Sequence, residues 1–128
     1  MKNDTPFGLS EIGQIAIIVQ DLPRAVAFYR DVLGMQFLFD APNLAFFACG
    51  PVRLMLGPAE SEEFDHPSSI VYYKVEDIKS AHETLVRRGA DCIHEPGMVH
   101  RAEDYELWLA FFRDSEGNPL ALMCEVRG

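Results

Sequence analysis

The stretch Gln14–Gly34, QIAIIVQDLPRAVAFYRDVLG, decides the fold of this 128-residue chain, because a related stretch returns at Ile70–Gly89, IVYYKVEDIKSAHETLVRRG. Each copy reads as an alternating strand, an Asp suited to capping a helix, and apolar residues at helical spacing. Gly34 and Gly89 stand where the end of a helix needs the left-handed backbone conformation. The sequence therefore predicts a β–α unit in duplicate, with the functional site between the copies.

The rest of the chain follows the same order of elements in both halves. Asp21 and Asp77 are the expected helix N-caps, and the polar segment Gly57–Ser68 connects the halves. In the first half we predict strands at Ile12–Gln20, Met35–Phe39, Leu44–Cys49 and Val52–Leu56. In the second half we predict a helix at Ile78–Arg88 and strands at Ile70–Val75, Asp91–Glu95, Leu107–Phe112 and Leu120–Val126. This β-α-β-β-β order, present twice, predicts an α+β fold of two small mixed sheets with a helix on one face of each.

Charge and composition narrow the classes of partner and location. The formal net charge of −9 argues against nucleic acid or an anionic membrane surface as a partner, since both attract a basic face. No segment approaches the length and apolarity of a membrane span, and Met1–Pro6 lacks the apolar run of a signal peptide. Cys49, Cys92 and Cys124 form no close pair, which is typical of reduced thiols in a cytoplasmic protein.

Two motifs resemble the vicinal-oxygen-chelate superfamily. The first, V-x-D-L-x-x-A-x-x-F-Y-x-x-x-L-G, runs from Val19 to Gly34, and the second, D-x-x-G-N-x-L-x-L, runs from Asp114 to Leu122. That superfamily includes glyoxalase I, bleomycin-resistance and fosfomycin-resistance proteins, extradiol dioxygenases and methylmalonyl-CoA epimerase. The resemblance covers the chain from residue 12 on. It implies a single glyoxalase-like domain over residues 1–128, with βαβββ modules at 12–57 and 69–126 whose sheets curl into an open trough with the helices outside.

The resemblance also implies where a metal would bind. Metal-dependent members place His or Glu ligands at four positions of the trough face, and here those positions hold Gln14, Met55, Ile70 and Ala121. Zn, Fe, Ni and Mn prefer imidazole, carboxylate or thiolate, whereas this set offers only the amide oxygen of Gln14. We therefore predict that the superfamily's metal site is missing and that the protein uses no cofactor, which disfavours reactions that polarise a substrate oxygen on a metal.

Strand alternation predicts which side chains line the trough, because Ile15, Leu54, Val71 and Leu120 are expected to face the helices. The expected ligand-binding residues on the opposite face are Gln14, Arg53, Met55, Ile70, Tyr72, Leu109, Phe111 and Ala121. A mainly apolar cleft with one amide, one guanidinium and one phenol is typical of a small-molecule site, although such apolar residues also fill ordinary cores. Arg53 either anchors a carboxylate or phosphate of a ligand or pairs with an acidic neighbour.

The segment His94–Glu106 lacks a clear strand pattern, and we expect it to be an irregular flap over the mouth of the trough. A metal site formed by His94, His100 and the acidic residues of this flap is an alternative, but their spacing matches no known ligand pattern. Trp108, just after the flap, is either a packing residue or a dimer contact.

Two classes of function fit the sequence. The first is a metal-independent binder of a small organic molecule, in the manner of the bleomycin-resistance proteins. The acidic composition favours a cationic ligand for it, whereas Arg53 favours an anionic one. The second is an enzyme of the same superfamily, of lyase, isomerase or dioxygenase type, that uses Tyr72, Gln14, His100 or Glu106 as an acid or base.

We also expect assembly. The chain carries nine Phe, four Tyr and one Trp, which is more aromatic surface than one small domain hides easily. The resemblance implies a two-fold homodimer, with Phe residues of the strands or Trp108 at its interface. The sequence is compatible with two modules of a trough that belong to one chain or to two chains.

Overall fold

The computed structural model describes residues 7–127 and contains the β-α-β-β-β order twice. The first half consists of β1 (Gln14–Ile18), α1 (Leu22–Ala27), β2 (Gln36–Ala41), β3 (Leu44–Cys49) and β4 (Val52–Gly57). The second consists of β5 (Val71–Lys74), α2 (Ile78–Arg87), β6 (Asp91–Arg101), β7 (Tyr105–Arg113) and β8 (Pro119–Arg127). A π-helical turn, Phe28–Val32, continues α1, and a 3-10 turn, Glu62–Phe64, lies in the connector. The predicted α+β fold is confirmed, while the expectation for Met1–Pro6 lies outside the described residues.

Each half forms its own four-stranded sheet, and the two sheets have the same topology. The strand orders are β1-β4-β3-β2 and β5-β8-β7-β6, with the first and last strands of each half parallel and the remaining pairs antiparallel. Ala16 lies opposite Met55 in one sheet, and Tyr72 lies opposite Ala121 in the other. The repeat seen in the sequence is therefore also a repeat of strand register.

The helix boundaries follow from the local signals in the sequence. Oδ1 of Asp21 accepts a hydrogen bond from the backbone nitrogen of Arg24 at 3.2 Å, and Oδ1 of Asp77 accepts one from Ser80 at 3.1 Å. Both are N-cap bonds that satisfy an otherwise unpaired helical N–H. Gly34 has φ +74° and Gly89 has φ +88°, the left-handed conformation that ends a helix at low cost for glycine.

The core lies between each sheet and its helix, as strand alternation predicts. One cluster of buried residues comprises Ile17, Val19, Ala25, Tyr29, Ala45, Phe47, Leu54 and Leu56. The other comprises Ile78, Leu85, Ala110, Phe112, Leu120, Leu122 and Cys124. Ile15 and Val71 pack against the first cluster and Trp108 against the second. The helix-facing assignment of Ile15, Leu54, Val71 and Leu120 is thus correct.

The two halves meet through their helix sides. Phe28, Val32 and Leu33, at the end of the first helical segment, pack against the second core cluster. The carboxylate of Glu116 accepts hydrogen bonds from the backbone nitrogens of Gln20 at 3.1 Å and Asp21 at 2.9 Å. These contacts leave the opposite faces of both sheets, which we call the first and second trough faces, turned away from the shared core.

The predicted flap at His94–Glu106 is wrong. β6 continues through this segment and pairs with β7, so that Gly97 lies opposite Leu109, and only residues 102–104 form a loop. Three register shifts interrupt the pairing, and each bulge changes which face the following side chain occupies. Pro96 is tolerated because β6 is an edge strand, where a missing backbone N–H need not break a ladder.

No helix within residues 7–127 combines the length and apolar character required to cross a membrane.

Candidate functional site

The predicted ligand-binding residues fall into two groups, one on each trough face. Gln14, Arg53 and Met55 lie on the first face, on β1 and β4. The second face carries Tyr72, Leu109, Phe111 and Ala121, with Ile70 just before β5. Within residues 7–127, no hydrogen bond or aromatic contact between side chains joins the first group to the second. The structure therefore brings the predicted residues together as two surfaces and not as one enclosed site.

Arg53 is an exposed charged residue of the first trough face, near the start of β4. Its Nε donates a 2.8 Å hydrogen bond to Oε1 of Gln14, its neighbour in register. Its guanidinium carbon lies 5.1 Å from the ring centroid of Phe46, a cation–π distance. No acidic side chain of the described chain forms an ion pair with Arg53. Pairing with an acidic neighbour, one of the two roles predicted for Arg53, is therefore not seen within residues 7–127.

Two phenylalanines that were not among the predicted ligand-binding residues extend this face. Phe46 lies opposite Met55 on β3, and its ring stacks on that of Phe39 with centroids 4.5 Å apart. Phe39 is 46% exposed, whereas Phe46 is 8% exposed. The β3–β4 hairpin would have placed Phe46 on the trough face by simple register counting. Register counting could not have placed Phe39 on this face, because a bulge in β2 shifts its pairing with β3.

The four positions that hold metal ligands in metal-dependent relatives do not fit a divalent metal here. Nε2 of Gln14 lies 3.7 Å from Sδ of Met55, so the two positions in the first sheet touch. An amide, a thioether and the hydrocarbon side chains of Ile70 and Ala121 make a poor donor set for Zn, Fe, Ni or Mn. Among residues 7–127, no three His, Cys, Asp or Glu side chains come together as a ligand cluster, and the His94–His100 alternative therefore has no structural support.

The connector between the halves folds onto the first trough face and forms a pocket of about 360 Å³ with it. The pocket is lined by Ile15, Ala16, Ile18, Met55, Pro58, Glu60, Phe64, His66, Ser68 and Ser69. Oγ of Ser68 accepts a hydrogen bond from the backbone nitrogen of Ile18 at 3.3 Å, which attaches the connector to β1. The sequence pattern of Gly57–Ser68 predicted only a polar connector. The one signal against that interpretation was Phe64, an aromatic residue in an acidic stretch.

The second trough face is an aromatic and aliphatic surface. The rings of Tyr72 and Phe111 are in edge contact with centroids 6.0 Å apart, and His94 contacts Phe111 at 6.1 Å. Ala121 lies in register with both Tyr72 and Phe111 and is fully buried. Tyr72 is 46% exposed and Ile70 is 44% exposed. This face can pack against an apolar group, but it presents few polar anchors.

The candidate acids and bases of the enzyme hypothesis do not converge. Glu106 accepts hydrogen bonds from Arg101 at 2.9 Å and from Nε1 of Trp108 at 3.1 Å. It alternates with Leu107 and Leu109 along β7, and it therefore points to the helix side and not toward Tyr72. His100 makes an edge contact with the ring of Tyr105 at 6.3 Å. These positions assemble no acid–base pair within the described residues.

Comparison with known proteins gives consistent matches over most of the chain. A model of the Glyoxalase/Bleomycin resistance protein/Dioxygenase superfamily matches residues 11–122. The uncharacterized protein YraH of Bacillus subtilis (strain 168) is 26% identical in an alignment 119 residues long that covers 82% of this chain and 91% of YraH.

Two solved structures show the same fold. A member of the glyoxalase/bleomycin resistance protein/dioxygenase superfamily from Sphaerobacter thermophilus DSM 20745 superposes with a TM-score of 0.77 at 25% identity, over 91% of this chain and 98% of that one. TnmS3, an antibiotic binding protein from Streptomyces sp. CB03234, superposes with a TM-score of 0.76 at 20% identity, over 94% and 99%. The second likeness concerns the fold alone.

Proposed function

This chain belongs to the glyoxalase/bleomycin resistance protein/dioxygenase superfamily, and we propose that it is a metal-independent binder of a small organic molecule. The observation that supports the proposal is that residues unsuited to a divalent metal occupy the four metal-ligand positions. Gln14 occupies one of them and uses its amide to hold Arg53 and to contact Met55. The first trough face thus presents a guanidinium and an apolar surface where metal-dependent relatives present a cation.

The connector pocket supports this proposal. Its volume of about 360 Å³ lies in the range of roughly 300–1,000 Å³ that is usual for small-molecule sites. Six of its ten lining residues are apolar, and the polar groups are those of Glu60, His66, Ser68 and Ser69. That an antibiotic binding protein, TnmS3, shares the fold is compatible with binding as the function, although one fold hosts many functions.

We further propose that the complete trough forms in a homodimer. Within one chain the two sheets pack through their helix sides. The connector covers only the part of the first trough face beside Ala16, Ile18 and Met55, and Ile70 and Tyr72 of the second remain exposed. A two-fold axis would place the first trough face of one protomer opposite the second trough face of its partner. Ile70, Tyr72, Leu109 and Phe111, backed by the buried Ala121, would then form the second wall of a site whose first wall is Gln14, Arg53 and Met55.

A ligand screen on metal-free protein tests the proposed function. Protein treated with a chelator should still bind members of a library of aromatic and heteroaromatic compounds, detected by ligand-observed NMR. Ala16→Trp fills the connector pocket and should abolish binding, whereas Glu83→Trp on the exposed side of α2 is the matched control. Binding that appears only after a divalent metal is added, or that survives Ala16→Trp unchanged, would contradict the proposal.

The enzyme hypothesis has no comparable support, because no hydrogen bond within residues 7–127 joins any two of its candidate groups, Tyr72, Gln14, His100 and Glu106. A cytoplasmic location likewise stays a prediction from cysteine usage.

A further inference from the structure

We infer that the ligand of this site is an amphipathic organic anion, with a carboxylate or phosphate on Arg53 and an apolar body along Phe46 and Met55. This inference rests on the proposed function and specifies its ligand class. It also resolves the conflict between the acidic composition of the chain and the presence of Arg53 in the trough.

The guanidinium of Arg53 is positioned in advance for an anion. Its Nε is engaged by Gln14 at 2.8 Å and one face lies on Phe46 at 5.1 Å. The two terminal nitrogens make no hydrogen bond to any side chain or backbone atom of residues 7–127. Arginine binds carboxylate and phosphate through such a two-nitrogen fork. Because Gln14 and Phe46 already hold the side chain, less rotamer entropy is lost when an anion binds.

The charge around Arg53 favours an anion locally. The trough-facing positions of β1, β3 and β4 carry no acidic residue, and besides Arg53 they comprise Gln14, Ala16, Ile18, Leu44, Phe46, Ala48, Met55 and Gly57. The net charge of −9 belongs to the whole chain, and exposed charges more than about 8–10 Å away are largely screened at physiological ionic strength. The overall charge therefore does not decide the charge of the ligand.

The connector pocket sets the orientation of the ligand. Met55 stands two residues beyond Arg53 on β4, a step of roughly 7 Å along a strand, and it also lines the connector pocket. Glu60 is a carboxylate in the lining of that pocket, and it would repel an anionic group placed there. The anionic end is thus directed to Arg53, and the apolar end to the space between Met55 and Phe64.

Three probes with the same two-ring body test the charge preference. We would measure 2-naphthoate, neutral 2-naphthamide and cationic 2-(aminomethyl)naphthalene by calorimetry and by chemical-shift changes of trough-face amides. We expect 2-naphthoate to bind at least about tenfold more tightly than either analogue, as charge-assisted hydrogen bonds to a guanidinium would give. Equal or tighter binding of the cationic probe would overturn the inference.

Variants of Arg53 and of its partner Gln14 provide a second test. Arg53→Met keeps the side-chain stem and should weaken 2-naphthoate about tenfold while leaving 2-naphthamide unchanged. Gln14→Glu should also weaken 2-naphthoate, because it places a competing carboxylate beside Arg53. Arg87→Met, which removes the same charge from the exposed end of α2, is the control. An equal loss with Arg87→Met would show a long-range charge effect and overturn the role of Arg53.

The two proposals fail in distinguishable ways. If all three probes shift trough-face amides with equal affinity, the chain binds small molecules there, but the anion preference is wrong. If none of the three shifts those amides and the wider library also gives no binder, the proposed function itself is wrong.

Discussion

The hydroxyl of Tyr29 donates a 2.8 Å hydrogen bond to Oδ2 of Asp114, and this contact joins the first helical segment to the last hairpin. Tyr29 is 1% exposed and Asp114 is 6% exposed. The other carboxylate oxygen of Asp114 accepts from the backbone nitrogens of Glu116 at 2.8 Å and Asn118 at 2.9 Å. Tyr29 and Asp114 each belong to one of the two sequence motifs that mark the superfamily, and they meet in one buried structural bond away from the trough faces.

Tyr29→Phe should lower the free energy of unfolding by about 1–3 kcal/mol, because a buried carboxylate loses a donor. Urea denaturation at neutral pH measures the change. Tyr72→Phe is the matched control, since that hydroxyl lies on the exposed trough face, and it should change stability little. A neutral Tyr29→Phe would show that water replaces the phenol at no cost.

The buried tyrosines should also make the protein sensitive to alkaline pH. Burial, with the nearby Asp114 carboxylate, raises the pKa of Tyr29 far above its usual value, and burial raises the pKa of Tyr73 as well. A raised folded-state pKa gives a contribution to stability that is fully present below the unfolded value of about 10 and is lost as the pH rises above it. Above about pH 10 the free energy of unfolding should therefore fall more steeply, by up to about 1.4 kcal/mol per pH unit for each tyrosine.

Tyr73→Phe isolates this effect. The Tyr73 hydroxyl is buried without a hydrogen-bond partner among the described residues, so its removal should be neutral or stabilising at pH 7. Urea midpoints measured between pH 9 and 11 should decline less steeply in the variant than in the parent. An unchanged slope would mean that Tyr73 ionises normally in the folded protein.

The two N-caps should be energetically equivalent. Asp21→Ala and Asp77→Ala should each lower the free energy of unfolding by about 0.5–2 kcal/mol, because each leaves an unpaired N–H in the first turn of a helix. Thermal or urea unfolding measures both. Asp31→Ala is the control, since Asp31 forms only a surface pair with Arg30. If both cap variants match that control, the capping bonds contribute nothing measurable.

Restoring the metal ligands should create a metal site. The quadruple variant Gln14→His, Met55→Glu, Ile70→His and Ala121→Glu should bind Zn²⁺ more tightly than the parent, as isothermal titration would show. The double variant Gln14→His, Met55→Glu supplies only half of the ligands and should bind more weakly. A folded quadruple variant with no gain over the parent would contradict the arrangement of the trough faces proposed above.

The homodimer should be present at micromolar concentration. Sedimentation should give a mass near twice the 14.4 kDa of one chain. Phe37 and Phe39 are 38% and 46% exposed on an edge strand, and Phe39→Gln should shift the equilibrium toward monomer. Val86→Gln, a change at a similarly exposed apolar residue on α2, should not. A parent mass of one chain that stays constant on concentration would rule the dimer out.

Local patterns in the sequence determined much of the fold. The buried side of each sheet was predictable from alternation, as Leu54 and Leu120 show, because a strand with one buried face repeats every two residues. The helix ends at Asp21 and Gly34 were predictable because capping depends on neighbouring residues only. The same alternation failed in β6, where three register shifts around Pro96 and Gly97 interrupt the period.

The tertiary structure alone decided how the candidate site is assembled. The Gln14–Arg53 hydrogen bond depends on the parallel register of β1 and β4, and the place of Phe39 depends on a bulge in β2. The docking of the connector through Ser68 and Phe64 has no periodic signal, since it arises from contacts between segments far apart in sequence. A local pattern records which face of an element is buried, whereas the partner on that face is selected by the free energy of non-local packing.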